Sequence, residues 1–198
     1  VSVINTGTNA VDATITVGSL PSGVAFSPDG TKAYVTNFNA DTVSVINTGT
    51  NAVDATITVG DAPDGVAVSP DGTKAYTANF NADTVSVINT TTNAVDATIT
   101  VGNAPLRVAI TPDGTKLIVT NITSNTVSVI NTTTNAVDAT ITVGNDPWGV
   151  AVSPDGTKAY VANSTDSTVS VIDLRAPASA SADPGVPGIF LAVNDVLV

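Results

Sequence analysis

The sequence predicts an all-β fold built from repeated four-stranded antiparallel sheets, and two observations carry that prediction. The tetrapeptide Val-Ser-Val-Ile returns every 42 residues, without insertion or deletion, at Val1, Val43, Val85, Val127 and Val169. Within each period, four short runs rich in Val, Ile, Thr and Tyr alternate with turn residues, and apolar residues never follow helical spacing. A period of this length is typical of repeat proteins, in which each unit buries its apolar face against its neighbours.

The order of the strands is clearest in the copy that spans residues 65–101. A first run, GVAVS, ends at Pro70-Asp71-Gly72, where the fixed φ of proline and the freedom of glycine favour a tight turn. Three further runs follow, KAYTAN, TVSVIN and AVDATITV, and we name the four strands A to D in chain order. Four strands in about 40 residues is the size of one propeller blade, so we predict a β-propeller of four-stranded blades.

The chain contains four blade equivalents. It opens with strands C and D in residues 1–17, passes through three complete blades, and closes the repeat region with strands A to C in residues 149–173. We therefore assign residues 1–173 to the propeller repeats. Residues 174–198 depart from the repeat: 176–187 are rich in Ala, Ser and Pro, and 189–198 regain strand character. We interpret this tail as a linker followed by an extra strand.

The incomplete sheets at the two ends suggest how a ring could close. The N-terminal strands C and D would complete the C-terminal strands A and B, which removes exposed sheet edges. Within one chain this gives a four-bladed ring, and between two chains a homodimer completed by strand exchange, with eight blades. Four blades leave little room at the axis, which favours the homodimer. The chain also opens without Met in the middle of a repeat, so a piece of a longer protein with further blades is the alternative.

One tetrapeptide in strand B carries a family resemblance. Tyr34-Val35-Thr36-Asn37, with SPDGTKA before it and TVSVINTGTN after it, resembles the YVTN family of β-propeller repeats, and later copies read YTAN, IVTN and YVAN. The resemblance covers residues 1–173. It implies a propeller of the secreted or surface-layer type and therefore an extracellular or cell-surface location. Related propellers include lactonase-like and lyase-like enzymes, so the resemblance does not assign a reaction.

Composition excludes several classes of function. The chain carries 6 basic and 17 acidic residues, a formal net charge of −11, which disfavours nucleic acid and anionic membrane surfaces as partners. It has no apolar run of the roughly 18 residues that membrane insertion requires. Cys, Met and His are absent, which removes thiol nucleophiles, imidazole bases and the usual zinc, copper and haem ligands. We expect no cofactor and no metal.

The repeats differ from one another at two of their four connections. The A–B and C–D turns scarcely vary, whereas the D–A links read GSLPSG, GDAPDG, GNAPLR and GNDPWG, and the B–C links also change. In a four-stranded meander the D–A and B–C links lie on the same side, where propellers usually bind ligands. We therefore predict a ligand-binding surface formed by the variable residues Leu20, Asp61, Asp64, Leu106, Arg107, Asp146 and Trp148.

Two interpretations of these residues stay open. Trp148, beside Arg107 and carboxylates, could stack on a sugar ring or anchor a protein partner. Alternatively, Trp148 caps a junction between blades and Arg107 pairs locally with Asp64 or Asp146. No catalytic residue is assigned, because the sequence contains no nucleophile elbow, phosphate loop or metal signature.

Together these observations favour a non-catalytic scaffold or binding module that takes a protein or glycan ligand at its variable side. Two alternatives remain from other classes of function. One is an enzyme of the lactonase-like or lyase-like type on the same fold. The other is a purely structural repeat protein that assembles with itself.

Overall fold

A computed structural model describes residues 1–175, and every regular element in that range is a β-strand. Residues 1–175 contain no helix, and therefore no helix that is long and apolar enough to cross a membrane. The chain divides into two compact units, Val1–Thr100 and Val101–Val198, which are described in turn.

The first unit contains ten strands in three antiparallel sheets. The N-terminal sheet pairs β1 with β2, the first full sheet has the order β3-β4-β5-β6, and the second full sheet has the order β7-β8-β9-β10. Each full sheet is a meander, because every strand pairs with the strand that precedes it in the chain. The strands are β1 (Ser2–Asn5), β2 (Ala10–Thr14), β3 (Pro21–Phe26), β4 (Lys32–Asn37), β5 (Thr42–Asn47), β6 (Ala52–Thr58), β7 (Pro63–Val68), β8 (Lys74–Asn79), β9 (Thr84–Asn89) and β10 (Ala94–Thr100).

The second unit contains seven described strands in two antiparallel sheets. The third full sheet has the order β11-β12-β13-β14, and the C-terminal sheet has the order β15-β16-β17. The strands are β11 (Pro105–Ile110), β12 (Lys116–Asn121), β13 (Thr126–Asn131), β14 (Ala136–Thr142), β15 (Pro147–Val152), β16 (Lys158–Asn163) and β17 (Thr168–Asp173).

The predicted fold class is confirmed. The sheets follow the A-B-C-D order read from the sequence, with the same four strands in each 42-residue period. A register shift recurs where strand A meets strand B and where strand C meets strand D, so each full sheet has the same bulges. The predicted linker and extra strand fall on residues 176–198, outside the described range.

The core of the first unit lies between its sheets. Tyr34, Val43, Val45 and Ile57 of the first full sheet pack against the second, and all four are at most 4% exposed. On its other face the first full sheet packs against the N-terminal strands through a smaller cluster of Ile15, Ala33, Val35 and Ile46. Because side chains alternate along a strand, neighbouring residues of β4 serve both clusters.

The core of the second unit repeats this arrangement. Ile118, Val127, Val129 and Ile141 of the third full sheet form one cluster with residues of the C-terminal sheet, and Val150 and Val152 of β15 pack against it. Strand A therefore lies against the preceding sheet in both units.

A buried asparagine at the end of each strand B fixes where the links begin. The Asn79 amide Nδ2 donates to Thr84 Oγ1 at 3.0 Å and to Ser86 Oγ at 2.9 Å, and Asn37, Asn121 and Asn163 make the same pair of bonds. Gly60, which opens the D–A link, lies directly on this side chain: a Cβ there would come within 2.6 Å of Asn79 Nδ2. The amide therefore holds strand B, strand C and the D–A link that leads into the same sheet in one fixed arrangement.

Candidate functional site

One backbone hydrogen bond joins the two variable links of every repeat. Phe38 N–H donates to the Leu20 carbonyl at 2.9 Å, and the later repeats repeat this bond from Phe80 to Ala62, Ile122 to Ala104 and Ser164 to Asp146, at 2.9 to 3.0 Å. The D–A and B–C links of each repeat therefore lie together on one side of their sheet, which we call the link side. The structure thus brings together the two connections that vary in sequence.

Each D–A link contains a residue in the left-handed region of backbone space. The residue just before the proline has φ between 52° and 56° in all four links, at Leu20, Ala62, Ala104 and Asp146. Non-glycine residues adopt this conformation at a cost of roughly 1–2 kcal/mol. In every link that residue supplies the carbonyl for the bond described above, so the strained residue is also the one that anchors the B–C link.

The opposite side of each sheet, the turn side, is closed by bonds within its own turns. In the last repeat Asp155 accepts bonds from the Ser153 hydroxyl at 2.5 Å, from Thr157 N–H at 3.0 Å and from the Thr157 hydroxyl at 2.9 Å. These donors lower the pKa of Asp155 to about 2, the Ser153 hydroxyl most of all. The same bonds lower the pKa values of Asp29, Asp71 and Asp113. These carboxylates are therefore structural parts of the turns.

Three predicted ligand-binding residues belong to the first unit, and their surroundings differ. Leu20 is 56% exposed on the link side. Asp61 is also exposed and accepts a bond from the Asn81 amide at 3.3 Å. Asp64 is 8% exposed and accepts a bond from the Ser22 hydroxyl at 2.5 Å, so its carboxylate already bridges two successive repeats.

Four predicted residues belong to the second unit. Trp148 is 54% exposed and Leu106 is 6% exposed, although they occupy the same position of successive repeats. Arg107 is half-buried and donates its backbone N–H to Thr120 Oγ1 at 3.1 Å. Asp146 accepts a short bond from the Thr165 hydroxyl.

A second network extends the link side of the last repeat. Asp166 accepts bonds from the backbone and side-chain amides of Asn145 at 2.7 and 2.8 Å, which lower the pKa of Asp166. Asn145 in turn accepts a bond from Asn125 at 3.0 Å. Asn125, Asn145 and Asp166 are not among the ligand-binding residues predicted from the sequence. Their signal was the Asn and Asp content of both links, which permits such amide–carboxylate pairs once the links are adjacent.

The first unit also has a cleft of about 450 Å³ on its turn side. It lies between the turns of two repeats and is lined by Asp29, Lys32, Tyr34, Asp71 and Thr90, among others. Lys32 Nζ donates to the Thr90 carbonyl at 3.3 Å, and both carboxylates are engaged in their own turns. Burial raises the pKa of Tyr34, which keeps its hydroxyl neutral. The lysine and both carboxylates are therefore bonded to the turns around the cleft.

Residues 1–175 contain no group of three His, Cys, Asp or Glu side chains arranged to hold a metal ion. The carboxylates on the link side instead bond to hydroxyl and amide groups of neighbouring loops.

The repeat pattern and its sheets agree with a known family. A family model described as the YNCE-like β-propeller matches residues 69–176, more than half of the 198-residue chain. The chain belongs to the YNCE-like β-propeller family. A comparison with curated proteins finds no match to this YNCE-like β-propeller.

Solved structures of other proteins share the fold of this YNCE-like β-propeller. Hydrazine synthase of Kuenenia stuttgartiensis matches with a TM-score of 0.77 and 27% identity, over 84% of this chain and 50% of that one. A functionally unknown protein from Desulfotomaculum acetoxidans matches with a TM-score of 0.74 and 23% identity, over 83% and 55% of the two chains.

A third solved structure points to the same architecture. A protein from Bacteroides uniformis, provisionally assigned as a 6-phosphogluconolactonase, matches with a TM-score of 0.75 and 18% identity, over 86% of this chain and 59% of that one. The YNCE-like β-propeller thus spans 50–59% of the length of these structures. Identities this low support a shared fold and leave the activity of each protein its own.

Proposed function

We propose that this chain is a non-catalytic binding module at the cell surface or outside the cell, and that it takes a glycan on its link side. The observation that carries the proposal is where the repeats differ. Turn-side sequences return almost unchanged and their polar groups bond to one another, whereas the two connections that change most from repeat to repeat, the D–A and B–C links, both lie on the link side. A repeat that only builds a scaffold has no need to vary one side alone.

The chemistry of the link side suits a sugar. Trp148 is 54% exposed, and Asn145 in the same D–A link, with Asp166 bonded to it, supplies amide and carboxylate groups of the kind that bond to hydroxyls. Stacking of a ring on an aromatic face, with hydrogen bonds around its edge, is how such surfaces take carbohydrate. The surface location rests on the resemblance to YVTN repeats.

Trp148 makes the proposal directly measurable because it is the only tryptophan in the chain. Its emission should shift to shorter wavelength, saturably, when a panel of neutral, acidic and amino-sugar oligosaccharides is titrated into the protein. Calorimetry on Trp148→Ala should show affinity for the active sugar reduced about 10–100-fold, the loss typical of an aromatic anchor. Thr50→Ala, an exposed substitution on the turn side, is the matched control and should bind as well as the wild type.

Equal binding by Trp148→Ala and Thr50→Ala would place the ligand elsewhere and overturn the proposal. An enzyme on the same fold is the rival reading, favoured by the likeness to the Bacteroides protein. Hydrolysis of 6-phosphogluconolactone that Asp64→Asn abolishes, while Thr50→Ala leaves it unchanged, would support that rival.

A further inference from the structure

The turn-side cleft of the first unit contains one buried polar group that its turns do not use. Tyr34 lines this cleft and is 0% exposed, yet its hydroxyl makes no hydrogen bond with any described residue. The Thr90 hydroxyl is near enough to influence the pKa of Tyr34, but it donates its own hydrogen to the Gly72 carbonyl at 2.7 Å. Buried hydroxyl groups are nearly always hydrogen-bonded, because an unpaired one costs free energy. The hydroxyl therefore points to a partner that the described residues do not supply.

The fold does not require a hydroxyl at this position of strand B. The equivalent residue of the third repeat is Ile118, which is also 0% exposed and belongs to the corresponding core cluster. An aliphatic side chain thus fills this position without a polar atom to satisfy. The Tyr34 hydroxyl is therefore not explained by packing, which favours a role in binding.

The charged groups of the cleft keep part of their hydrogen-bonding capacity. Lys32 Nζ has three hydrogens and donates to the Thr90 carbonyl at 3.3 Å. Oδ2 of Asp29 accepts a bond from the Thr31 hydroxyl at 2.9 Å, and each carboxylate oxygen has two lone pairs. Asp71, in the next repeat, is bonded to its own turn in the same way. The cleft therefore offers both donors and acceptors to a ligand.

The charges of the cleft select against simple ions. The two carboxylates repel an anion that Lys32 would attract, and Lys32 repels a cation that the carboxylates would attract. A neutral hydroxyl group both donates and accepts, so it can bond to Tyr34, to Lys32 and to a carboxylate. A compound with several hydroxyls thus fits all these groups without bringing a charge into the cleft.

The size of the cleft fits one small molecule. Its volume of about 450 Å³ is toward the lower end of the range of roughly 300–1,000 Å³ found for small-molecule sites. Pro28 and Gly72 also line it, and a Cβ on Gly72 would lie 3.4 Å from Pro28 Cδ, so the A–B turns of two repeats nearly touch here. The proline ring supplies an apolar surface for the carbon skeleton of a ligand.

We propose that the turn-side cleft binds a neutral polyhydroxylated molecule of about the size of one monosaccharide. The Tyr34 hydroxyl and Lys32 Nζ donate to oxygens of the ligand, and the carboxylates of Asp29 and Asp71 accept from its hydroxyls. None of these four residues belongs to the ligand-binding surface predicted on the link side. The site therefore goes beyond the link-side function and does not rest on it.

The first experiment is an NMR titration of the ¹⁵N-labelled full chain with glucose, galactose, mannose and myo-inositol. At least one of them should shift the amide signals of Gly72 and Thr90 saturably, with a dissociation constant in the millimolar range. Tyr34→Phe should weaken this binding about tenfold, because one hydrogen bond to the ligand is lost. Thr50→Ala is the matched control on the turn side, and it should bind as well as the wild type because Thr50 does not line the cleft.

The second experiment compares the urea midpoints of the wild type and Tyr34→Phe, which keeps the ring and removes only the oxygen. Without ligand the variant should be at least as stable as the wild type, since no internal bond is lost. Polyols at high concentration stabilise proteins in general, because they are excluded from the protein surface. The informative result is therefore an additional, saturable increase in the midpoint of the wild type that Tyr34→Phe lacks.

Three results would overturn the proposal. One is the absence of saturable shifts with every polyol up to about 100 mM, and another is equal affinity of the wild type and Tyr34→Phe. The third is saturable binding of glycine or inorganic phosphate in place of the polyols, which would assign the cleft to a zwitterion or an anion. Trp148→Ala should keep the cleft affinity, so failure of this proposal and failure of the link-side proposal give different results.

Discussion

A glycine and an asparagine in contact determine how each D–A link leaves its sheet. Asn79 is fully buried, donates two hydrogen bonds, and leaves room at Gly60 for hydrogen alone. Both residues recur in every period, so the sequence indicates that the fold requires them but does not show that they are in contact. The contact between them became visible only when strand B and the link were placed side by side.

Gly60→Ala should lower the free energy of unfolding by about 1–3 kcal/mol, the usual cost of forcing a methyl group into a packed site. The reason is the 2.6 Å approach of the new Cβ to the Asn79 amide. Urea denaturation measures the change. Gly49→Ala is the control: the nearest atom is at 3.4 Å and the same position is Thr91 in the next repeat, so the change should stay within about 0.5 kcal/mol. A similar loss in both variants would contradict this account.

The carboxylate of Asp155 gives the turn a defined pH response. Its pKa in the folded protein is about 2, below the ordinary value of 3.8, because the Ser153 hydroxyl and the Thr157 N–H bond to the ionised form. A lowered folded-state pKa stabilises the protein above pH 4, and that contribution is lost as pH falls from about 4 to 2. Urea midpoints should therefore decrease over this interval, and less steeply in Asp155→Asn.

Ser153→Ala tests the assigned cause, since it removes the largest contribution to the low pKa. The NMR titration of the Asp155 carboxyl should move to higher pH in this variant. An unchanged titration would show that the hydroxyl is not responsible.

At the scale of the element, the C–D turn of residues 47–51 is stabilised by side-chain hydrogen bonds to Asn47 and by a left-handed backbone conformation at Asn51. Asn47 Oδ1 accepts bonds from Gly49 N–H at 3.0 Å and from Thr50 N–H at 3.2 Å, and Asn51 adopts a φ of 56°. Asparagine is one of the few residues that tolerates this left-handed conformation. The sequence predicted the turn from its Asn and Thr content, and the structure assigns a separate task to each asparagine.

Asn51→Ala should lower the free energy of unfolding by about 1 kcal/mol, because alanine tolerates a positive φ poorly. Asn51→Gly should be close to neutral, since glycine adopts this conformation freely. Thermal or urea unfolding distinguishes the two exposed substitutions. Equal stability of the alanine and glycine variants would show that backbone strain is not what selects asparagine here.

The links on the other side could be predicted less well. Their left-handed residues are Leu20, Ala62, Ala104 and Asp146, types that give little local signal for a positive φ. Of the predicted ligand residues, Leu20 and Trp148 are well exposed, while Leu106 and Asp64 are buried. Exposure at one repeat position depends on whether another repeat covers it, which the sequence of the link does not encode.

At the scale of the whole molecule, the charge is strongly acidic: 17 acidic and 6 basic residues give a formal net charge of −11. Repulsion among these charges destabilises the compact state at low ionic strength, and salt screens it. Raising salt from about 20 to about 300 mM should therefore raise the urea midpoint of unfolding, and a lower midpoint at high salt would mean that attractive ion pairs outweigh the repulsion.

The sequence by itself determined the fold class, the number of strands and their order, because a strict 42-residue period imposes the same local pattern in every repeat. It also separated the constant turns from the variable links. Only the tertiary structure decided which of those variable residues are exposed, and which residues of equivalent strands are covered. The physical reason is that burial in a repeat protein depends on the neighbouring repeat: Tyr34 and Tyr160 both lie in the sequence Lys-Ala-Tyr-Val, and of the two only Tyr34 has a strand A packed against it among the described residues.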